Sequence, residues 1–468
     1  LSRILFLSNW ERTDTWIAAG SELARRGVEI FFVLTRDEYV AKALAAGFPR
    51  SHILWLTRTD ARRRPASDED RRALGEIELA TGERVRDMIL MDRFLRSADP
   101  QWAMAYAAYV FRELSSFVAA NDLDLAAGQP DNVPDLIAGM IMKARGGRYA
   151  APFEFRLPIR RFVLWDSKVE ARPHLTGAAS PALVTDAELE AARKLRDLVR
   201  GGAKLRQALV VKSQSGLARF VHKLARGFFY RALVVARHDV YMYTPRSVLT
   251  DLKYHMIPVN RLRLRARWNR YFEQPVEGER FVFYTLNYAP EHTLDVEAPW
   301  FTSTTETVRN IARTLPTGIR LYVKEHPAAL GIRGPAELRA LKRLPGVRLI
   351  DPAVDSHALI RKAELVVSLS GTASLEAALY GRPTAVLSDI FIQHFSTCRR
   401  LFAPWQVGEA LLAPAPPADE AADLRYLAWL ISNSHEGTVI EPLVEPSSLE
   451  PENAGLVADA FEKLLRAG

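Results

Sequence analysis

One cysteine, Cys398, in 468 residues leaves this chain no internal disulfide framework and no cysteine-rich metal site. The ten histidines are scattered, with no H-E-x-x-H and no pair four residues apart beside carboxylates, so no structural zinc is expected. Neither G-x-x-x-x-G-K-[ST] nor G-x-S-x-G occurs, which argues against a P-loop ATPase and an α/β-hydrolase. Asp68-Glu69-Asp70 and Asp122-Leu123-Asp124 match a metal-holding D-x-D only in letters, since the first opens a helix and the second runs into a strand. Aromatic-glycine RNA signatures, zinc fingers and coiled-coil basic regions are missing, so nucleic acid is not an expected partner. No run approaches the roughly 18 apolar residues of a spanning helix, no charged-then-apolar leader opens the chain, and no repeat of fixed period occurs. The simplest expectation is a cytoplasmic enzyme, at most peripheral at the inner face of a membrane.

Hydrophobic residues make up 48% of the chain, enough for two or three globular domains. The net charge of +8 is unevenly placed: residues 193–270 hold 19 Lys and Arg against 3 Asp, and the remainder is net acidic. Within that stretch Leu217, Phe220, Val221, Leu224 and Phe228 recur at helical spacing, with Arg219, Lys223 and Arg226 on other faces. Such a helix suits an anionic membrane surface, or a solvated helix packed on the domain by its apolar stripe.

Two strand-helix alternations flank this basic middle. Arg3–Ser8, a helix over Asp14–Arg26, Gly27 as its stop and Val28–Thr35 form a β-α-β opening. Ser67 to Asp70 supplies a capping-box pattern, and Leu123–Ala127 and Phe162–Asp166 read as further buried strands. From residue 277 the alternation is regular, with strands over Arg280–Thr285, Gly318–Lys324, Val347–Ile350, Leu365–Leu369 and Pro383–Leu387 and helices between them. Short apolar strands joined by helices imply right-handed crossovers in a parallel sheet. The expected fold is therefore α/β, two Rossmann-like domains facing a cleft (GT-B type) with a basic helical insertion between them. The expected divisions are an acceptor domain at 1–166, the insertion at 167–276, a nucleotide-binding domain at 277–450, and a helix at 451–468 packing back across the domains.

Ligands of open parallel sheets bind outside the carboxyl ends of the strands, and two segments there carry suitable chemistry. In SGTASLEA, Ser370, Gly371 and Thr372 fall where strand becomes helix, so hydroxyls, backbone N–H groups and the helix dipole can meet a phosphate. Glu376 can accept from ribose hydroxyls. His326, before Pro327 in KEHP, can donate to the same phosphate, with Lys324 adding charge. The plainer alternatives are that Ser370 to Thr372 only cap the helix, that Glu376 pairs with Arg382, and that His326 braces its loop. For sugar-transfer chemistry opposite the phosphate, Glu291 follows the strand Arg280–Thr285 as a candidate nucleophile or base, while Asp131 and Glu154 come from the first domain as candidates for acid or base. Asp131 serves equally as the cap of a helix beginning near Pro134.

The segments VFYTLNYAPEHT, GIRLYVKEHP, LPGVRLIDP, DSHALI and SLSGTASLEAALYGRPTAVL together resemble the capsule polysaccharide synthesis family, which includes transferases of Kdo onto lipid-linked glycans. The likeness spans roughly Arg280 to Ser388. It implies a glycosyltransferase with a nucleotide-sugar donor, best a CMP-activated ulosonic acid such as Kdo, no separate cofactor and no metal, and a glycan or lipid-linked acceptor. It also implies that Glu291, some 35 residues before the His-Pro pair, is a nucleophile in retaining transfer; relatives carry Asp at that place. A UDP-hexose donor, polyol-phosphate transfer from a CDP-alcohol, and a non-catalytic subunit of a capsule assembly complex remain as alternatives.

Overall fold

The computed structural model describes residues 2–8, 11–203, 257–289, 291–326 and 329–467. The basic stripe of Arg219, Lys223 and Arg226, and Pro327, lie outside them. Among the described residues no helix is long and apolar enough to cross a membrane.

Two sheets organise the chain. The first contains β1 (Arg3–Ser8), β2 (Glu29–Leu34), β3 (Ile53–Trp55), β4 (Leu125–Ala127), β5 (Arg148–Glu154), β6 (Arg161–Trp165) and β13 (Ser434–Glu436), in the order β13-β6-β5-β4-β1-β2-β3. Strands β1 to β5 pair in parallel, whereas β6 and β13 pair antiparallel to their neighbours. The second contains β7 (Phe281–Thr285), β8 (Arg320–Lys324), β9 (Val347–Ile350), β10 (Leu365–Ser368), β11 (Thr384–Val386) and β12 (Cys398–Arg400), all parallel, in the order β12-β11-β10-β7-β8-β9. These are two Rossmann-like domains, as expected. Strand order reverses between β1 and β4 in the first sheet and between β7 and β10 in the second, and such reversals open a crevice at the carboxyl ends.

The central strands are apolar because both faces are covered. In β1, Ile4 and Phe6 join a core with Trp16, Phe32 and Phe461, while Leu5 and Leu7 join the opposite core with Tyr106 and Ala126. Gly27, at φ 88°, turns the chain from helix Arg12–Arg25 into β2. The capping box is present, with Ser67 Oγ accepting from Asp70 N and Asp70 Oδ2 from Ser67 N.

The chain's later residues depart from the expected division. Strand β13 joins the first domain's sheet although it precedes residue 450, and helix Glu420–Ser432, which leads into it, packs on helix Asp186–Arg200. Helix Pro451–Arg466 packs on helix Arg12–Arg25 and β13 of that same domain instead of spanning both; Phe461 meets Phe6 edge-on at 5.1 Å and Trp16 at 6.2 Å. The second domain is thus inserted into the first. The second sheet has a sixth strand, β12, where five were expected, and its Cys-Arg-Arg sequence explains why apolar patterning missed it.

Phe461 fills a nearly dry site between two aromatic rings, so Phe461→Ala is expected to cost about 3–5 kcal/mol. A urea titration followed by tryptophan fluorescence checks this, as a fall in midpoint with little change in slope.

Candidate functional site: the junction of two strand edges

At the reversal in the first sheet, β4 runs into Gly128. A Cβ there would lie 2.0 Å from Asp135 Oδ1 and 3.1 Å from Leu7 O, so only glycine lets the strand end pass between them. Burial, helped by the charge of Asp131, raises Asp135 well above the usual carboxylate range. The next helix, Val133–Ala144, is capped by Asn132, whose side chain accepts from Asp135 N at 3.2 Å. Asp131 is therefore not the cap. It accepts from Arg93 Nη2 at 2.8 Å, and the Arg93 loop is held by Asp92, which accepts from Leu95 N and Val133 N. Arg12, first residue of the helix after β1, is largely buried: its Nε and Nη1 meet no acceptor among the described residues, and Nη2 lies 3.8 Å from Glu441. Glu154, at the end of β5, accepts from Thr438 Oγ1 and Val439 N, both at 2.7 Å. Its carboxylate braces the returning chain, a structural task that the expected acid-base role did not foresee.

The second sheet presents its own edge. After β7 come Glu291, which accepts from Thr293 Oγ1 at 2.8 Å, and His292, the first residue of the short helix His292–Asp295. Burial raises the Glu291 pKa, opposed by that hydrogen bond. The β8 edge carries Lys324, whose Nζ donates to Ser356 Oγ at 2.7 Å, then Glu325 and His326. Burial and the charges of Lys324 and Arg333 lower the His326 pKa, favouring a neutral ring. Glu325 fixes this turn by accepting from His326 N at 2.8 Å and from Arg333 Nη1 at 2.5 Å. Beyond β10, Gly371 is the N-cap of helix Thr372–Leu379 and its N–H donates to Ser368 Oγ; Gly371 and Thr372 are half-buried, and Glu376 is buried on the same helix. Ser370 corrects the expectation: its hydroxyl is fully buried and donates to Thr293 O at 3.0 Å, so it braces the strand end and is not turned to a ligand. Arg382, the expected alternative partner of Glu376, donates through Nη2 to Ala363 O.

The two edges meet around Arg156, two residues beyond β5 on the same strand face as Glu154. Its Nε donates to Glu170, its Nη2 to both oxygens of Glu297 at 3.0 Å, and its Nη1 to Ser370 O. Arg96 Nη1 donates to Asp295 Oδ1 at 2.6 Å, and the Phe153 ring lies 4.5 Å from that of His292. Apolar packing continues the contact: Phe391, from the turn after β11, stacks on Trp165 at 5.4 Å and accepts from Tyr426 Oη through its carbonyl. Asp131, Glu291, His292, Arg93 and Arg156 thus converge where both strand-order reversals face each other; Lys324 and His326 stand one strand away, across β7 from the Ser370–Glu376 segment. His292, Arg156, Glu297 and Arg12 were not singled out in the sequence. The signals available were the neighbour of Glu291 in PEHT and the alternation of Glu154 with Arg156 in PFEFR.

No protein-family model and no curated protein matches the chain. Among solved structures it is similar to the beta Kdo 2,7 transferase KpsC of Thermosulfurimonas dismutans, at 12% identity over 76% of this chain and 89% of that one, with a TM-score of 0.38. The calicheamicin glycosyltransferase CalG4 gives 15% identity over 99% and 98%, with a TM-score of 0.29. The UDP-GlcNAc 2-epimerase from Neisseria meningitidis bound to UDP-GlcNAc gives 9% identity over 100% of both chains, with a TM-score of 0.28. Likenesses of this size bear on neither activity nor substrate. The two-domain α/β fold rests on the sheets themselves.

Two carboxylates share one guanidinium at the junction. Burial pushes Glu170 up to about 8, against the pull of Arg156 and with the added charge of Glu297. Burial also disfavours ionised Glu297, but Arg156, His292 and a hydrogen bond from Ser370 hold it below the ordinary range. The junction therefore keeps a proton on Glu170 that the unfolded chain releases near pH 4.5. Its contribution is complete below that pH and is lost as pH rises through 8. Thermal unfolding between pH 5 and 9 is expected to show a falling midpoint in the wild type and a flatter profile in Glu170→Gln.

Proposed function

We propose that this protein is a glycosyltransferase that moves a sugar from a nucleotide donor on the second domain to a hydroxyl acceptor held against the first. The observation that carries the proposal is the meeting of the two strand-order reversals, edge to edge, around charged and hydroxyl-bearing groups from both domains. Each reversal is a place where α/β sheets bind ligands, and facing crevices suit a reaction between two separately bound molecules. In this proposal Gly371 and Thr372 open a helix toward the donor phosphate. His326 and Lys324 add a donor and a positive charge across β7, and Glu376 accepts from the ribose; the proposal also counts Pro327, outside the described residues, as part of the nucleotide site.

The donor is assigned as a CMP-activated ulosonic acid such as Kdo, supported by the resemblance of residues 280–388 to the capsule polysaccharide synthesis family. The acceptor class is a surface polysaccharide or lipid-linked glycan, and transfer is assigned without a metal. The basic stripe of Arg219, Lys223 and Arg226 would then rest on an anionic membrane surface where such acceptors reside.

Thermal-shift titration against CMP, CDP, UDP and GDP tests the proposal. CMP is expected to stabilise selectively, by about 2.7 kcal/mol at a hundredfold excess over its Kd. His326→Ala should weaken that shift and slow transfer while leaving the unliganded midpoint close to wild type. A protein that responds to none of the four nucleotides has no donor site of this kind.

A further inference from the structure

His292 is 8% exposed, and neither ring nitrogen has a hydrogen-bond partner among the described residues. A buried polar group left unpaired costs stability, so its presence here asks for a compensating use. The ring stands at the β7 side of the reversal, against Phe153 from the first domain, in the field of groups from every element around it. Glu297 and Asp131 favour its protonation; Arg156 and Arg93 oppose it. Glu291 and Asp295 lie on its own segment, held by Thr293 and Arg96.

The neighbouring carboxylates are already engaged. Asp131 is ion-paired with Arg93, Glu154 accepts two hydrogen bonds from the returning chain, and Glu297 lies under Arg156. Burial lowers the His292 pKa, so the neutral ring keeps an in-plane lone pair at neutral pH.

We propose that His292 is the general base that takes the proton of the acceptor hydroxyl, a step that rests on the glycosyltransferase reading above. In this step the acceptor O–H bond breaks and its proton passes to a His292 ring nitrogen. The oxygen's electron pair forms the new bond to the anomeric carbon, and the bond from that carbon to its leaving group breaks with its electrons going to the departing oxygen. The imidazolium so formed faces Asp131 and Glu297, whose charges stabilise it. The acceptor reaches the ring by replacing its contact with Phe153, an aromatic packing that no hydrogen bond locks.

The test measures transfer from the CMP-activated donor, over pH 5–9, by wild type, His292→Gln and His292→Asn. The expected result is a loss of about 10²–10⁴ in kcat/KM in both variants, with the nucleotide-induced thermal shift retained. The wild type should lose activity below its depressed histidine pKa, at a pH under 6.5, and the variants should lack that acid limb. Wild-type rates and an unchanged acid limb in either variant would overturn the base while leaving the transferase intact. Nucleotide binding without transfer by the wild type would strike the transferase reading, and the base with it. Should both variants misfold, the wild-type profile decides: an acid limb under 6.5 supports His292, and a flat one removes it.

Discussion

Arg156 carries a positive charge to a place where water hardly reaches, and the domains are assembled around the need to neutralise it. One guanidinium spends its donors on Glu170 from its own domain and on Glu297 and the Ser370 carbonyl from the other. Removing two ions from water is expensive, and an arrangement of this kind is favourable only when every donor and acceptor is met. The geometry meets that condition, so the approach of the two sheets is fixed in angle as well as distance. The same contacts lock the chain at the start of helix Thr372–Leu379. Ser370 is pinned by its carbonyl and its hydroxyl, and Glu297 sits one turn beyond His292.

A consequence for specificity follows from how the polar groups are shared out. Carboxylates at the junction are paired, braced or protonated, whereas His292 and Arg12 are buried with unmet hydrogen-bonding atoms. His292 carries ring nitrogens that can accept when neutral, and Arg12 carries N–H donors. Phosphate-compatible groups stay on the second domain, away from this pair, so the two halves of the junction differ in kind.

Much of the fold was legible because its central strands are buried on both faces and read as unbroken apolar runs. Arg3–Ser8 and Val347–Ile350 coincide with β1 and β9. Strands β3, β5, β12 and β13 were not: β12 and β13 carry mainly polar residues and β5 begins on Arg148 and ends on Glu154, so their place is defined by the neighbours they pair with. Of the site, the strand-end motifs could be found because position along an α/β unit implies position at the ligand edge. The pairings could not: Arg156 and Glu297 are 141 residues apart, Arg96 and Asp295 are 199 apart, and nothing local in either sequence announces its partner. Ser370 shows the converse error, since its hydroxyl was suited to a phosphate in type and place but was claimed by Thr293.

The insertion of the second domain into the first bears on the order in which the molecule can be made. On a ribosome the second sheet has all its strands once residue 400 has emerged, and it can close by itself. The first sheet must wait for β13 and for the helix that brings Phe461 onto Phe6, both encoded more than 30 residues later. Until then the Ile4 and Phe6 face of β1, although Trp16 already packs on it, lacks the cover that Val457, Phe461 and Leu464 supply. Nascent chains stalled before residue 434 would therefore hold a finished second sheet beside an unfinished first one, an invitation to chaperones.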